Sequence, residues 1–284
     1  MKDEHSIQNL CLHTHNIFCD GKENINTLIR SAISQGVTQL GISSHAPLKI
    51  SNKWSMDYNQ LDNYYKEIAD LKNIYQDEIK IFTSLEMDYI PGKTYDFDFF
   101  RNKLSLDYSI GSIHLVLHPD KDKLWFIDGD KTACIENMNR IFDGDVKHAV
   151  KSFYAQSREM ISTQKPDIIG HLDKVIMNTG HLFDTSETWY QDEIDATLEE
   201  IKNHQVIVEA NTRGIYKGKW SETFPGKTIL QKCFDLEIPV LISSDAHRAE
   251  ELCLGYSETR KMLKQIGYKN QQGRINSNWG NIPI

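Results

Sequence analysis

Two histidines separated by one residue, His13 and His15, follow a short apolar run at residues 10–12. Because side chains alternate across a strand, two imidazoles at this spacing point to the same side of a strand end. They could therefore bind one metal ion, and Asp20 could return to the same place after a short turn. An isolated pair of this kind is more often a pair of surface histidines, but here the pattern recurs along the chain.

Further metal-capable side chains follow other apolar runs, so that six of seven predicted strands deliver His, Asp or Glu at the same end. Buried without partners, such groups would cost much free energy, and shared metal ions satisfy them together. The sequence therefore predicts a metal cluster whose nine ligands are His13, His15, Asp20, His45, Glu86, His114, His171, Asp245 and His247.

The ligand types indicate the metals and the chemistry. Six imidazoles and three carboxylates suit borderline divalent ions such as zinc, iron or manganese. Nine ligands are too many for one metal ion, and they exceed the number that two metal ions usually need. Three divalent ions facing three carboxylates would leave positive charge that suits a phosphate dianion. A multinuclear site can supply a nucleophile and clamp phosphoryl oxygens, which predicts phosphate ester hydrolysis.

Seven apolar runs alternate with helical patterns, which indicates parallel βαβ units in a doubly wound sheet or a barrel. Reactive residues at the carboxyl ends of so many strands favour a barrel. The predicted strands are residues 10–12, 39–43, 79–85, 108–113, 168–170, 206–209 and 240–244. The predicted helices are residues 25–35, 58–75, 95–103, two helices between 114 and 164, 187–203, 228–236 and 250–266.

Composition excludes several classes of protein. The 284 residues carry a net charge of −8 without a lysine–arginine block, which argues against a partner in duplex nucleic acid. The absence of an apolar run of about 18 residues argues against a membrane span, and the first residues lack a signal-peptide core. Five cysteines without a CxxC pair do not suggest disulfides and predict a cytoplasmic location. The oligomeric state stays open.

The motifs around these residues resemble the polymerase-and-histidinol-phosphatase (PHP) superfamily, and within it the stand-alone histidinol-phosphatases. The resemblance extends from about residue 10 to 255, in the expected order. The matching segments are His13-x-His15 with Cys19-Asp20-Gly21, Ser43-Ser44-His45-Ala46-Pro47, Leu85-Glu86-Met87-Asp88-Tyr89, residues 107–114 ending in His114, residues 169–173 around His171, Glu209-Ala210-Asn211-Thr212-Arg213-Gly214 and Ser243-Ser244-Asp245-Ala246-His247.

This resemblance implies a distorted, TIM-like (β/α)7 barrel formed by residues 1–284 as one domain, with the active site at the carboxyl ends of the strands. It implies three divalent metal ions and hydrolysis of a small-molecule phosphomonoester, L-histidinol phosphate, to L-histidinol and phosphate in histidine biosynthesis. Many superfamily members have Asp where Ser44 stands here, so the support of His45 by its neighbours is in question.

The resemblance also implies a division of labour among the ligands. Glu86 would bridge two ions, one of which would also bind His114 and His171. His13, His15 and Asp245 would bind others, with Asp20, His45 and His247 completing the third site. The residues expected to act in catalysis are Glu86, Asp245, His247 and Arg213.

Arginines and aromatic residues complete the candidate site. Arg213 follows the sixth predicted strand on the active-site side, where a guanidinium could bind phosphoryl oxygens. The sequence around Arg158 predicts a solvent-exposed charge on a helix. Only the resemblance makes Arg158 a candidate for substrate binding. In the segment after His114, Trp125 and Phe126 could cover the substrate, although core packing is the commoner role.

Two further expectations concern the surface. An acidic outer rim would suit the substrate's cationic amine, with Asp88 as one candidate partner. The remaining histidines are expected to be ordinary exposed side chains: His5, His118, His148, His181 and His204.

Other functions remain open at this stage. Within enzymes they are a nucleotide phosphatase, a phosphotyrosine phosphatase or a proofreading exonuclease of the same superfamily. The acidic chain and the lack of an attached polymerase domain argue against the exonuclease. From a different class, a noncatalytic metal-binding regulatory module could retain the fold, but a complete ligand set argues against it.

Overall fold

The computed structural model describes residues 9–284, so His5 lies outside the described residues. Parallel strands alternate with helices, as the apolar runs predict. The strands are β1 (Asn9–Cys11), β2 (Val37–Ile42), β3 (Lys80–Thr83), β4 (Glu86–Asp88), β5 (Ile110–Ser112), β6 (Leu115–Leu117), β7 (Leu124–Phe126), β8 (Ile168–Ile169), β9 (Ile207–Asn211), β10 (Val240–Ser243), β11 (Asn270–Ile275) and β12 (Asn278–Pro283).

Helices connect most of these strands, and two of them are single turns. The helices are α1 (Ile25–Ser34), α2 (Leu61–Ile74), α3 (Phe97–Lys103), α4 (Lys131–Phe142), α5 (Val146–Gln164), α6 (Ile176–Thr179), α7 (Thr188–His204), α8 (Arg213–Tyr216), α9 (Lys227–Asp235) and α10 (Tyr256–Ile266). Short 3₁₀ turns at Tyr58–Gln60 and Ala249–Glu251 precede α2 and α10.

The strands form two parallel sheets and two hairpins, which confirms the α/β prediction. One sheet has the order β1-β2-β3 and the other has the order β10-β9-β8-β5-β4. All seven predicted strands are present, but the third is split in two. β3 pairs with β2, whereas β4 pairs with β5 across the gap to the other sheet. The chain thus changes sheet just before Glu86.

The edges of the two sheets meet at two seams near the carboxyl ends of their strands. At the first, His45 and Glu86 form a parallel bridge. At the second, Thr14 and Ala246 form another, and the His15 N–H donates to the Ala246 carbonyl at 2.8 Å. Both seams involve residues of the predicted metal cluster or their direct neighbours. Backbone pairing therefore fixes the relative positions of several candidate ligands.

Helix α1 illustrates how sequence determines the outer layer. The Asn24 side chain accepts a hydrogen bond from the Thr27 N–H and caps the first turn. Gly36 follows the helix with a φ of +70°, a conformation that glycine adopts without a Cβ penalty. One face carries the buried residues Ile25, Leu28, Ile29 and Ala32, whose spacing matches the helical period.

Two β-hairpins were not predicted, β6–β7 after His114 and β11–β12 at the carboxyl terminus. The second lacks a regular apolar alternation, because β11 is rich in Asn and Gln. Tertiary contacts hold it instead: the Gln39 side chain bonds both backbone groups of Arg274, and Gln271 accepts a hydrogen bond from the Ile242 N–H. The closing helix was predicted to start at 250, but α10 begins at Tyr256 because Gly255 has a φ of 78°.

Two hydrophobic clusters flank the strands. The larger one lies between the strands and the helices. The smaller one comprises Leu10, Leu12, Tyr108, Ile110, Ile168, Ile207, Leu241 and Ile282. Seven of these residues come from the parallel strands or the residues beside them, and Ile282 comes from the terminal hairpin. Strand side chains alternate between two faces, so this cluster is the second apolar face of the same strands. Within residues 9–284, no helix is long and apolar enough to cross a membrane.

Gly41 in β2 is expected to tolerate no side chain. A Cβ there would lie 2.8 Å from the Leu12 carbonyl oxygen and would also overlap the Tyr108 hydroxyl. We expect Gly41→Ala to lower the free energy of unfolding by about 3 kcal/mol, measured by urea denaturation. Gly36→Ala is the control: it has open space but a positive φ, and should cost about 1 kcal/mol. Equal losses in the two variants would contradict this account of the packing.

Candidate metal centre

The nine predicted ligands converge in one place, although they come from segments up to 234 residues apart in the sequence. Their nitrogen and oxygen atoms fall into small groups whose members lie within 4.8 Å of one another. The groups are Glu86, His114 and His171; His13, His15 and Asp245; His15, Asp20, His45 and His247; and His45, Asp88 and His114.

Glu86 lies at the centre of the cluster and is almost completely buried. Its Oε2 atom lies 3.2 Å from His13 Nε2, 3.3 Å from His15 Nε2 and 3.0 Å from His45 Nδ1. Its Oε1 atom lies 3.0 Å from His171 Nε2. One carboxylate thus faces four imidazoles within 3.3 Å, and a fifth, that of His114, has its Nε2 atom 3.8 Å from Oε1. Both carboxylate oxygens are therefore placed among potential metal ligands.

Asp245 and Asp20 organise the other side of the cluster. Asp245 Oδ1 lies 3.1 Å from His15 Nε2 and 3.4 Å from His247 Nδ1. Asp20 Oδ1 lies 3.2 Å from His247 Nε2 and 3.8 Å from His45 Nε2. The rings of His15 and His247 stack with their centroids 4.0 Å apart. Two carboxylates and three imidazoles therefore surround a second small space.

Several buried atoms that point into these spaces make no hydrogen bond: His13 Nε2, His15 Nε2, His45 Nδ1, Asp20 Oδ1 and Asp245 Oδ1. Native proteins rarely leave buried polar atoms without a partner, and each one costs desolvation free energy. Imidazole nitrogens and carboxylate oxygens that converge in this way are ligands for divalent metal ions. The residues present therefore fit such ions.

Two carboxylates outside the predicted set support the ligands. Glu209 Oε1 bonds His13 Nδ1 at 2.5 Å, and Glu209 Oε2 accepts the His171 N–H at 2.8 Å. Asp88 Oδ1 bonds His114 Nδ1 at 2.9 Å. A carboxylate on the far nitrogen fixes the ring orientation and tautomer of a metal-binding histidine. Asp88 is buried, so the expectation that it lies on the outer rim beside a substrate amine is wrong.

Electrostatics within the cluster are strongly coupled. Burial lowers the pKa of His114, but the charge and hydrogen bond of Asp88 outweigh it and raise that pKa to about 9. Burial raises the pKa of Glu86, and the surrounding imidazoles, His45 and His13 foremost, bring it well below its usual range. The carboxylate of Glu86 is therefore ionised and available to a cation.

Backbone strain accompanies two of the candidate ligands. His171 has a φ of 28° and Asp245 a φ of 50°, in the left-handed region that non-glycine residues rarely occupy. Both follow directly after short parallel strands. Such strain of about 1–3 kcal/mol per residue persists only where the surrounding structure enforces it, which is typical of functional sites. Here the backbone turns each side chain back toward the cluster.

The cluster forms one wall of an open cleft of about 240 Å³. Opposite the ligands lie the Trp54 and Phe126 rings, which stack with centroids 5.0 Å apart. Trp125 beside Phe126 packs in the core. Thus one of the two neighbouring aromatic residues covers the cleft and the other stabilises the fold.

Two cations line the cleft beside Asp245. Arg213 donates to the Asp245 carbonyl oxygen at 2.7 Å and to the Tyr216 hydroxyl at 3.3 Å. Lys174 is buried, and its Nζ pairs with Asp128 Oδ2 at 2.7 Å. The sequence reasoning predicted Arg213 but missed Lys174, although it lies three residues after His171. An ionised lysine is almost never buried without a partner, and Asp128 is that partner here.

Two sequence-based expectations are wrong, that Arg158 contacts the substrate and that His118 is exposed, whereas the doubt about Ser44 is confirmed. Arg158 does not line the cleft, because it pairs with Glu193 at 2.8 Å and donates to Thr197, both on α7. It stabilises the packing of α5 on α7. His118 is buried rather than exposed, since its Nδ1 accepts hydrogen bonds from two backbone N–H groups of the β6–β7 turn. The Ser44 hydroxyl makes no hydrogen bond and gives His45 no support.

We expect the purified protein, reloaded with zinc, iron or manganese, to bind more than one divalent ion per chain by elemental analysis. His171→Ala and His13→Ala should each lower the metal content, because each removes a convergent nitrogen. Exposed His181 provides the control, and His181→Ala should leave the content unchanged. One ion or none in the reloaded native protein would contradict a multinuclear centre.

Comparison with known proteins identifies the family of this chain. Residues 10–213 match the PHP domain family. The histidinol-phosphatase of Bacillus subtilis (strain 168) is 25% identical over 258 residues, which cover 86% of this chain and 95% of that protein. This match extends beyond the domain boundary and includes most of both chains.

Two solved structures share the fold. The histidinol phosphate phosphatase of Lactococcus lactis, complexed with zinc, L-histidinol and phosphate, has a TM-score of 0.75 at 18% identity and covers 97% of this chain and 100% of that chain. A protein from Listeria monocytogenes has a TM-score of 0.75 at 24% identity, covering 88% and 99%. Because the family match covers well over half of the 284 residues, the chain belongs to the PHP domain family.

Proposed function

We propose that this protein is a metal-dependent phosphomonoesterase that hydrolyses L-histidinol phosphate to L-histidinol and phosphate. The observation that carries the proposal is the convergence of buried, unpartnered imidazole and carboxylate atoms in a cleft that also holds Arg213 and Lys174. The similarity to a histidinol-phosphatase over most of both chains supports the choice of substrate.

We assign three divalent ions, of zinc, iron or manganese, to the nine predicted ligands. Glu86, His114 and His171 form one group, His13, His15 and Asp245 a second, and His15, Asp20, His45 and His247 a third. When bound, such ions supply Lewis acidity and activate water. Glu209 and Asp88 hold the rings of His13 and His114 in the ligating orientation.

The cations of the cleft bind and orient the phosphate. Arg213 is fixed by Asp245 and Tyr216, so its guanidinium loses little conformational freedom when it binds phosphoryl oxygens. Burial lowers the pKa of Lys174, but Asp128 outweighs it and raises that pKa, which keeps the ammonium charged. Positioned donors of this kind stabilise the charge that develops on phosphoryl oxygens.

The opposite wall suits the organic part of the substrate. Trp54 and Phe126 offer a stacked aromatic surface for an imidazole ring, and Asp128 lies beside them in the cleft. The pKa of Asp128 is raised by burial and lowered more strongly by Lys174, so the carboxylate is ionised. A cationic amine is attracted to such a group. These residues take the role that the sequence analysis gave to Asp88.

The same proposal includes the fold, the partner and the cellular location of the protein. We infer that the parallel strands form a distorted (β/α)7 barrel and that residues 1–284 make up one domain, and the two seams between the sheets support this inference. The partner is a small phosphomonoester rather than a nucleic acid or a membrane, given the net charge of −8. Five free cysteines suit a cytoplasmic location.

Glu86→Ala should nearly abolish turnover while leaving the fold intact. Its carboxylate faces four imidazoles, so its loss should disorganise metal binding rather than core packing. Loss of one catalytic group costs about 10²–10⁴ in rate, and loss of a metal should reach or exceed that. Steady-state kinetics and circular dichroism measure the two effects. Activity within a few-fold of the native enzyme would show that Glu86 is not a ligand.

Arg213→Ala should lower kcat/KM by about 10²-fold, because a fixed donor to the phosphoryl oxygens is lost. Arg213→Lys should restore activity only partly, since an ammonium cannot bind two oxygens in a fork. Arg158→Ala is the matched control, because Arg158 pairs with Glu193 outside the cleft. If Arg158→Ala impaired kcat/KM as much as Arg213→Ala, the assignment of the phosphate contact would be wrong.

The substrate itself is tested by comparison of esters under identical metal loading. We expect kcat/KM to be highest for histidinol phosphate, above p-nitrophenyl phosphate, nucleotide monophosphates and phosphotyrosine peptides, because only it combines a cation with an imidazole. A higher value for a nucleotide or a phosphotyrosine peptide would overturn the substrate assignment. Lack of metal-dependent turnover of any ester would favour a noncatalytic metal-binding module.

A further inference from the structure

The metal cleft continues into a second cavity of about 260 Å³. Lys174, Arg213, Asp128 and Asp245 line both spaces and form the ridge between them. The second cavity lies on the side of α8 and of the loop that follows it, away from Trp54. A ligand on the metal ions would therefore have open space on two sides, with different chemistry on each.

Four cationic side chains line this second cavity, Lys174, Arg213, Lys217 and Lys219. The ridge carboxylates are already engaged: Asp128 pairs with Lys174, and Asp245 faces the metal ligands. The lining nevertheless holds four cations against these two carboxylates, which gives the cavity a surplus of positive charge.

The two outer cations, Lys217 and Lys219, are neutralised by carboxylates to different degrees. Glu251 is shared, because it forms a close ion pair with Lys217 and lies 3.6 Å from Arg213. Among residues 9–284, no carboxylate lies within 4.0 Å of the Lys219 Nζ atom. Lys219 is exposed at the mouth of the cavity. Its charge is therefore available to a ligand.

This charge distribution conflicts with the organic end of histidinol phosphate. Its amine is cationic, so Lys217 and Lys219 repel it, whereas the aromatic rings of Trp54 and Phe126 attract a cation. The substrate therefore extends toward the Trp54–Phe126 stack, and none of the substrate's atoms occupies the second cavity. A cavity with surplus cations beside a phosphate-binding centre is suited to bind an anion.

We propose that this second cavity is an oxyanion subsite that binds a phosphate or carboxylate group beside the metal cleft. The proposal rests on the proposed phosphatase function. Lys219 and Arg213 supply the charge, while Met177 and Phe224 form an apolar part of the lining that limits hydration of the bound group. The oxyanion has two possible sources: released inorganic phosphate, or a second anionic group on a phosphomonoester.

Binding of inorganic phosphate to the metal-loaded protein tests the first source. Equilibrium dialysis should find two phosphates per chain in the native protein, one at the metal centre and a weaker one in the cavity. Lys219→Gln should weaken the second roughly twofold to fivefold, the range of an exposed charge interaction, and Lys219→Glu should weaken it further. Lys261→Gln, on the exposed face of α10, is the control and should bind two phosphates with native affinity.

A pair of esters that differ in a single group tests the second source. Glycerol 3-phosphate and 3-phosphoglycerate differ in a hydroxymethyl group against a carboxylate. If a substrate carboxylate uses the cavity, the ratio of kcat/KM for 3-phosphoglycerate to that for glycerol 3-phosphate should fall about twofold to fivefold in Lys219→Gln. The ratio should be native in Lys261→Gln. Because the two esters are compared within each variant, a general change in activity does not alter the ratio of the two kcat/KM values.

The outcomes separate the proposals. A second bound phosphate that depends on Lys219, with an unchanged ester ratio, assigns the cavity to released phosphate. A changed ratio assigns it to a second anionic group on the substrate. A single phosphate per chain together with an unchanged ratio in both Lys219 variants overturns the subsite while the phosphatase proposal stands. Lack of turnover of every ester would instead overturn the phosphatase proposal, and dialysis would still report on the cavity.

Discussion

The placement of one buried carboxylate, that of Glu86, is the constraint on which this structure depends. It faces four imidazoles and lies where the chain changes from one parallel sheet to the other. A carboxylate and so many imidazoles cannot be removed from water unless their charges and lone pairs are satisfied together. Mutual contacts satisfy part of this set, and the remaining unpartnered atoms fit divalent ions. Stability and metal chemistry are therefore coupled at the same atoms.

A second layer of polar contacts makes the cluster rigid. Glu209 alone connects two histidines, His13 through its ring and His171 through its backbone, and its carboxylate also contacts the Ser243 hydroxyl. These contacts join β9, which carries Glu209, to residues at the carboxyl ends of β1, β8 and β10. Because a metal site tolerates little displacement of its ligands, such support contributes as much to function as the ligands themselves. The positive φ of Asp245 is maintained by the same dense packing.

Around this centre the cleft is chemically asymmetric. One side offers the Trp54–Phe126 stack, and the other offers Lys217 and Lys219. The paired Lys174 and Asp128 stand between them. A surplus of positive charge on one side alone orients a charged ligand as it enters, because the field favours only one direction. Under the proposed function, the metal centre would bind the phosphate and this asymmetry would select the rest of the substrate.

Much of the site was predictable from sequence, because the placement of many of its side chains depends on residues only a few positions away in the chain. His13 and His15 illustrate this, since the strand period alone places both rings on one side. The alternation of apolar runs and helices likewise predicted α/β architecture, and all seven predicted strands are present. Amphipathic spacing and caps, as in α1, depend on neighbours a few residues away.

Other features were decided only by tertiary structure, because they depend on how distant strands align. No spacing predicts that the third strand divides before Glu86, since β3 and β4 are separated by two ordinary residues and differ only in their partners. Arg158 was a candidate for substrate binding and Lys174 was not, yet packing of α5 on α7 removes the first from the cleft and the turn after β8 brings the second into it. The charge pattern along the chain determined which groups could react, and the three-dimensional pairing of strands and helices determined which of them meet.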